Sequence, residues 1–105
     1  MRSYASLRRS WEFTRLRQRG RRIATAALTV YRADPFPNDK ISVVGITVGK
    51  PVGGAVVRNT VRRRVAAILR EALKGRRMRV LVIARPAAAV APFAQLRNDL
   101  QRALV

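Results

Sequence analysis

The chain has 105 residues, 49% hydrophobic and 6% aromatic, with 23 Lys and Arg against 5 Asp and Glu and a formal net charge of +18. That supports one domain, residues 1–105, with an aliphatic core, and excludes a disordered tail. Histidine and cysteine are absent, which excludes Ser-His-Asp catalysis, histidine-dependent RNA cleavage, imidazole or thiolate metal sites and disulfides.

The opening residues 1–9 read as a mobile basic arm. Ser10 is placed to cap a first helix, with Glu12 complementing its dipole, Phe13 and Leu16 forming a short apolar face and Gly20 stopping it. Residues 23–33, "IATAALTVYRA", favour a strand with Leu28 and Val30 on one face and Thr29 and Tyr31 on the other. "DPFPND" is a turn, and "ISVVGITVG" a second strand with Val44, Ile46 and Val48 on one face. Its other face, Val43, Gly45 and Thr47, leaves room for an approaching group. A hairpin of these two strands is the economical arrangement.

"KPVGGA" leads into a long helix with Val57, Val61, Val65, Ile68, Leu69 and Ala72 along one core-facing stripe. Asn59, Arg62, Arg63 and Arg70 fall within about 100° of each other on a different face, with Arg58 at the helix start and Arg64 on the opposite flank. Gly75 is the stop. "MRVLVIARP" is a third strand, apolar without alternation, as expected when both faces are covered. Pro92 suits the first turn of a last helix, where Phe93, Leu96, Leu100, Ala103 and Leu104 recur at three and four residues. The order α-β-β-α-β-α gives an α/β (α+β) two-layer sandwich on a small mixed sheet, with room for one extra short strand.

The net charge makes a compact chain repel itself, and a polyanionic partner would relieve that; nucleic acid leads. Only Lys40, Lys50 and Lys74 are lysine. Guanidinium groups fork onto phosphates and stack on bases, which favours RNA or DNA over a generic charged surface. A GC-rich genome would also raise the arginine share, but not the net charge. No apolar run approaches the roughly 20 residues of a membrane span. The start "MRSYASLRRSWEF" lacks the apolar segment of a signal peptide. A cytoplasmic protein without a membrane partner is expected. The five acids, Glu12, Asp34, Asp39, Glu71 and Asp99, are scattered. Turn chemistry accounts for Asp34 and Asp39, and Glu12 and Asp99 read as ordinary helix residues. A two-metal nuclease needs carboxylates converging on ions about 4 Å apart, and no phosphate-binding glycine fingerprint is present. No catalytic residues and no metal site are expected in this chain.

Arg58-Asn59-Thr60-Val61-Arg62-Arg63 resembles the signature of the bacterial ribonuclease P protein subunit. "SWEFTRLRQRG", "LTVYRA", "VGITVGKPVGGAVVRN" and "VLVIARP" resemble that family's first helix, first strand, strand with lysine loop, and late strand, in order over about residues 7–104. The resemblance implies a left-handed β-α-β crossover, against the usual hand. It implies a binding subunit, one per RNA, of an endoribonuclease that removes the 5′ leader of precursor tRNA. Catalysis belongs to the RNA, no cofactor is bound covalently, and Mg2+ is held by the RNA subunit and the substrate. Carried over, Lys50, Arg58, Asn59, Arg62 and Arg63 contact the catalytic RNA. Phe13, Tyr31 and Thr29 take positions in the leader cleft between the sheet and the first helix.

Three departures stand out. Arg17 occupies the place of the family's second aromatic, and a guanidinium also stacks on bases. Ala66-Ala67 stand where Arg-Glu usually follows; Arg70-Glu71 come one turn later, and Arg70 is read as the substitute. Thr60 replaces a residue often basic. Blander roles accompany these: Phe13 as a core anchor, Asn59 as a helix cap, Trp11 as surface cover or RNA contact. The alternative function is a structural or ribosome-associated RNA-binding protein without a processing role; an autonomous nuclease is disfavoured by the missing histidines.

Overall fold

The structure, a computed structural model, describes residues 2–105. Five strands form one mixed sheet: β1 (Tyr4–Ser6), β2 (Arg21–Ala24), β3 (Leu28–Ala33), β4 (Ser42–Thr47) and β5 (Arg79–Ala84). Three helices accompany it: α1 (Ser10–Arg19), α2 (Ala55–Ala72) and α3 (Phe93–Ala103). The spatial order is β1-β4-β5-β3-β2. β1, β4 and β5 run parallel, while β3 is antiparallel to β5 and β2 to β3.

The expected hairpin of the second and third segments is not formed. β5 lies between β3 and β4 and pairs with both. Its run of Val80, Leu81 and Val82, all fully buried, makes it the central strand, since only a strand covered on both faces has no need of polar residues. The segment 23–33 is also two strands rather than one. Thr25 turns the chain: its Oγ1 accepts the Leu28 N–H at 3.0 Å and its own N–H donates to the Leu28 carbonyl at 2.8 Å. β2 therefore folds back on β3.

The basic arm is docked as well. Met1 lies outside the described residues, but Tyr4–Ser6 pair with Ser42–Val44 as an edge strand, and Leu7 is buried with its N–H on the Val44 carbonyl at 2.8 Å. Ser10 is the first helical residue rather than the cap. The first turn is satisfied by Glu12, whose Oε2 accepts the N–H groups of Arg8 and Arg9 at 3.0 and 2.9 Å, as in a capping box.

Alternation assigns the faces. Leu28, Val30, Val44, Val48, Val80 and Val82 share the main core with α2 and α3. Val61, Val65, Ile68 and Leu69 come from α2, Leu96, Leu100 and Ala103 from α3, and Leu104 from the residue just after it. Truncating any fully buried leucine here to alanine should cost about 2–5 kcal/mol. The opposite face carries a smaller cluster of Leu7, Leu16, Val43 and Leu81, with Phe13, Tyr31, Ala33 and Ile83 packed on it. Helix α1 sits there, so helices lie on both faces. Two helix positions depart from the periodic reading. Phe93 is 41% exposed, and Asp99 is buried with its Oδ1 accepting from Gln95 Nε2 at 2.9 Å. Gly75, at φ +68, ends the α2 segment in the left-handed conformation that glycine adopts without strain.

Candidate nucleic-acid interface

Helix α2 is built from both of its faces. Its buried Val61, Val65, Ile68 and Leu69 fix its rotation against β4 and the core. That rotation leaves Asn59, Arg62, Arg63 and Arg70 exposed. Asn59 Oδ1 accepts from Arg62 Nη1 at 2.9 Å, so the asparagine orients the guanidinium one turn on. It is not a helix cap, because α2 already starts at Ala55 and Asn59 lies in its second turn. Arg58 is half-buried, and its Nε is buried without a hydrogen-bond partner among the described residues. Arg64 is half-buried on the other flank. Val57, expected on the core stripe, is 38% exposed because it lies against Gly53 instead. Gly53 has φ +151, and a Cβ there would stand 3.0 Å from Val57 Cγ1. Lys50 is exposed and opens the 3-10 turn Lys50–Val52 that joins β4 to α2. Arg70 lies apart near the other end of α2, where its carbonyl accepts from Ser3 Oγ at 2.7 Å. None of these exposed cations has a side-chain carboxylate within 4 Å among the described residues.

The second group lies across the sheet. Tyr31, Leu81 and Gly45 stand side by side on β3, β5 and β4, and Thr29, Ile83 and Thr47 form the next row. Phe13 and Leu7 fill the space over Gly45: a Cβ there would meet Phe13 Cε1 at 2.6 Å and Leu7 Cδ1 at 2.8 Å. The room expected at Gly45 is thus occupied by the protein itself. Phe13 anchors α1 and is half-buried, as is Tyr31. Thr29 is buried, while Ile83 and Thr47 remain half-exposed beside it. Arg17 is exposed one turn beyond Phe13 on α1. Phe13, Tyr31 and Thr29 thus share one sheet face, with Arg17 at its margin. Lys50 and the first turns of α2 follow from the same end of β4 that carries Thr47.

A third cluster was not anticipated. Arg79, at the start of β5, is only 8% exposed. Its Nη1 donates to Glu12 Oε1 at 2.9 Å, and its Nε and Nη2 donate to the two oxygens of Asp39 at 2.8 and 2.9 Å. The guanidinium lies 3.7 Å from the centre of the Phe36 ring, a favourable cation–π placement. Trp11 stacks on that ring, with centroids 6.2 Å apart and planes 7° from parallel. Asp39 is held below the ordinary carboxylate range by its hydrogen bonds from Arg79, against the opposing effect of burial, with the Phe36 N–H also contributing. For Glu12 burial pushes upward, but the Arg9 N–H, Arg79 and the Arg8 N–H together hold it low. Glu12 and Asp39 therefore tie α1 and the β3–β4 loop to β5. The signal was in the sequence: an arginine opening an otherwise apolar strand must find carboxylates, and few exist in this chain.

The exposed guanidinium groups without carboxylate partners among the described residues make a surface suited to a polyanion. Among the described residues no three His, Cys, Asp or Glu gather where they could hold a metal ion. Among the described residues no helix is long and apolar enough to cross a membrane.

A family model described as Ribonuclease P matches residues 1–105. The chain is 43% identical over 100 residues to the ribonuclease P protein component of Acidothermus cellulolyticus, covering 93% of this chain and 83% of that protein. It is 36% identical over 107 residues to that of Ligilactobacillus salivarius, covering 99% and 93%. Against the one from Thermus oshimai it is 44% identical over 103 residues, covering 94% of this chain but 62% of that protein. Among solved structures, a Staphylococcus aureus RNase P protein mutant has a TM-score of 0.83 at 26% identity, covering 94% of this chain and 84% of that one. The RNase P protein from Thermotoga maritima, at 24% identity and a TM-score of 0.78, shares the fold, covering 94% of each chain.

Proposed function

The chain belongs to the ribonuclease P protein family, and from that premise we propose that it is the binding subunit of an RNA-based endoribonuclease. In this reading α2 holds the catalytic RNA, and the α1 face of the sheet holds the single-stranded 5′ leader of precursor tRNA. The product is tRNA with a mature 5′ end.

The observation that carries the reading is the division of labour on α2. One side is sealed into the core, and the other offers Asn59, Arg62 and Arg63 without carboxylate partners. A rigid row of guanidinium groups suits phosphates, which they bind in two-pronged fashion. Lys50 and Arg58 extend the grip at the helix entrance, and Arg70 adds a separate cation near the far end of α2.

On the other face, Phe13, Tyr31 and Thr29 with Arg17 at the margin suit an unpaired strand of any sequence. Stacking accepts every base, at about 1–3 kcal/mol each. The positive charge offsets phosphate repulsion when two large RNAs meet, which lowers the Mg2+ they need. The ions stay with the RNAs, and this chain's residues bind and orient. One protein per RNA, acting in the cytoplasm, completes the proposal.

The test is cleavage of 5′-labelled precursor tRNA at low Mg2+ by the protein alone, a bacterial ribonuclease P RNA alone, and both. Cleavage at the mature 5′ end only in the mixture is expected. Protein that adds nothing, even to the RNA of its own source, would overturn the reading in favour of a structural RNA-binding role.

A further inference from the structure

A second basic surface lies apart from α2 and borders the Phe13–Tyr31 face, with which it shares Leu16 and Ala33. A cavity of 580 Å³ opens between the C-terminal half of α1, the ends of β2 and β3, and the β3–β4 loop. Arg15, Arg19, Arg21, Arg32 and Arg77 line it. Of the two acids at its wall, Glu12 and Asp34, Glu12 is already engaged by Arg79 and two backbone N–H groups. Arg15, Arg19, Arg21 and Arg77 are exposed and have no side-chain carboxylate within 4 Å among the described residues. Arg21 and Arg32 stand directly opposite each other on β2 and β3, an unfavourable placement for like charges. Arg32 is partly compensated by the carbonyls of Ala103 and Val105, at 3.3 and 2.5 Å. Among the described residues no such partner is found for Arg21.

An aromatic platform adjoins these arginines. Trp11 is 51% exposed although it is stacked on Phe36, and Arg15 lies 5.4 Å from the centre of that Phe36 ring. Trp11, Arg15 and Arg19 recur every fourth residue, which puts them on one face of α1, and Trp11 lies about 160° around the helix from Phe13. A tryptophan with one open face beside several free guanidinium groups matches the pattern that takes an unpaired nucleic-acid strand, base on ring and phosphates on arginines.

We propose that the outer face of α1, with Trp11 as the stacking platform and Arg15, Arg19, Arg21 and Arg77 as phosphate contacts, is a second binding site for single-stranded RNA. It rests on the RNA-binding reading above and adds a site to it. Its occupant is an RNA strand, supplied either by leader nucleotides upstream of the cleft or by an unpaired segment of the catalytic RNA.

Trp11 is the only tryptophan in the chain, so its emission reports this surface alone. The full-length protein is titrated separately with a ribonuclease P RNA, a leader-bearing precursor tRNA, the leaderless tRNA and a short uridine oligonucleotide. Trp11 emission is followed in parallel with the anisotropy of the labelled RNA. Saturable quenching by the oligonucleotide is expected. Quenching by precursor but not by leaderless tRNA identifies the leader as the source, and quenching by the ribonuclease P RNA identifies that RNA. The Arg15→Gln/Arg19→Gln double variant should shift the quenching curve at least about fivefold and reduce the salt slope by about 1.4, at 0.7 per phosphate contact on single strands. RNA that binds by anisotropy with unchanged Trp11 emission in every arm overturns the proposal alone. So does a folded double variant with unaltered affinity and slope. Absence of binding by anisotropy in all arms overturns the RNA-binding reading itself.

Discussion

Arg79 and Asp39 meet through two parallel hydrogen bonds, Nε to Oδ2 at 2.8 Å and Nη2 to Oδ1 at 2.9 Å, across 40 residues of sequence. Both side chains are about nine-tenths shielded from solvent. Removing one member of a shielded pair strands the other. Asp39→Asn should therefore destabilise the fold by about 3–5 kcal/mol, measured as a lower urea midpoint with an unchanged slope. A loss under about 1 kcal/mol would show that Glu12 alone holds Arg79.

The same pair sets the response to acid. Glu12 and Asp39 both have folded-state affinities for protons below their ordinary values of 4.5 and 3.8. Groups of this kind bind fewer protons folded than unfolded. Their stabilisation is complete above the ordinary carboxylate range and is lost as pH falls through the lowered folded values. Unfolding free energy should hold from pH 7 to about pH 5 and then fall below about pH 4. Asp39→Asn should flatten that fall; identical acid limbs in variant and parent would exclude this origin.

Arg62 and Arg63 are exposed, so Arg62→Ala/Arg63→Ala should change stability by no more than about 0.5 kcal/mol. Affinity for the catalytic RNA should weaken, and the slope of log K against log salt should fall by about 0.7–0.9 per lost phosphate contact. Asn59→Ala should lose less than Arg62→Ala, since it removes the group that orients Arg62 and a neutral contact but no cation. Filter binding at several salt concentrations measures all three. An unchanged slope would place the RNA elsewhere.

Gly45→Ala tests the support of the cleft. The added methyl would stand 2.6 Å from Phe13 Cε1 and 2.8 Å from Leu7 Cδ1. Overpacking of this kind costs about 1–3 kcal/mol. Because Phe13 must shift, affinity for the leader should fall while affinity for leaderless tRNA holds. Thermal unfolding and competition between the two tRNAs read the two effects. Equal losses for both tRNAs would remove Phe13 from the leader site.

The helices were legible in the sequence because their signals are local. The 3.6-residue period of Val61, Val65, Ile68 and Leu69 fixed which side of α2 is buried and so which arginines face out. Strand pairing was not legible in the same way. The interposition of β5 between β3 and β4 depends on contacts tens of residues apart, and alternation reports only which side chains share a face. That part of the reading was sound: Thr29 and Tyr31 do lie opposite Leu28 and Val30. The glycine at position 45 misled because an open position in sequence is filled in space by Phe13 and Leu7. The ion cluster was missed because each acid had an adequate local explanation, as a turn or a helix residue. Only the tertiary fold shows Glu12 and Asp39 converging on one arginine.

The two outer strands of the sheet carry one more consequence. β1 is three residues long, and β2 is four with Arg21 and Arg22 at its start. An exposed strand edge invites another chain to pair with it, and short length and repeated positive charge discourage that. A second copy approaching β2 would bring its own arginines against these. The same positive charge that suits the chain to RNA thus also discourages edge-to-edge pairing between copies of it.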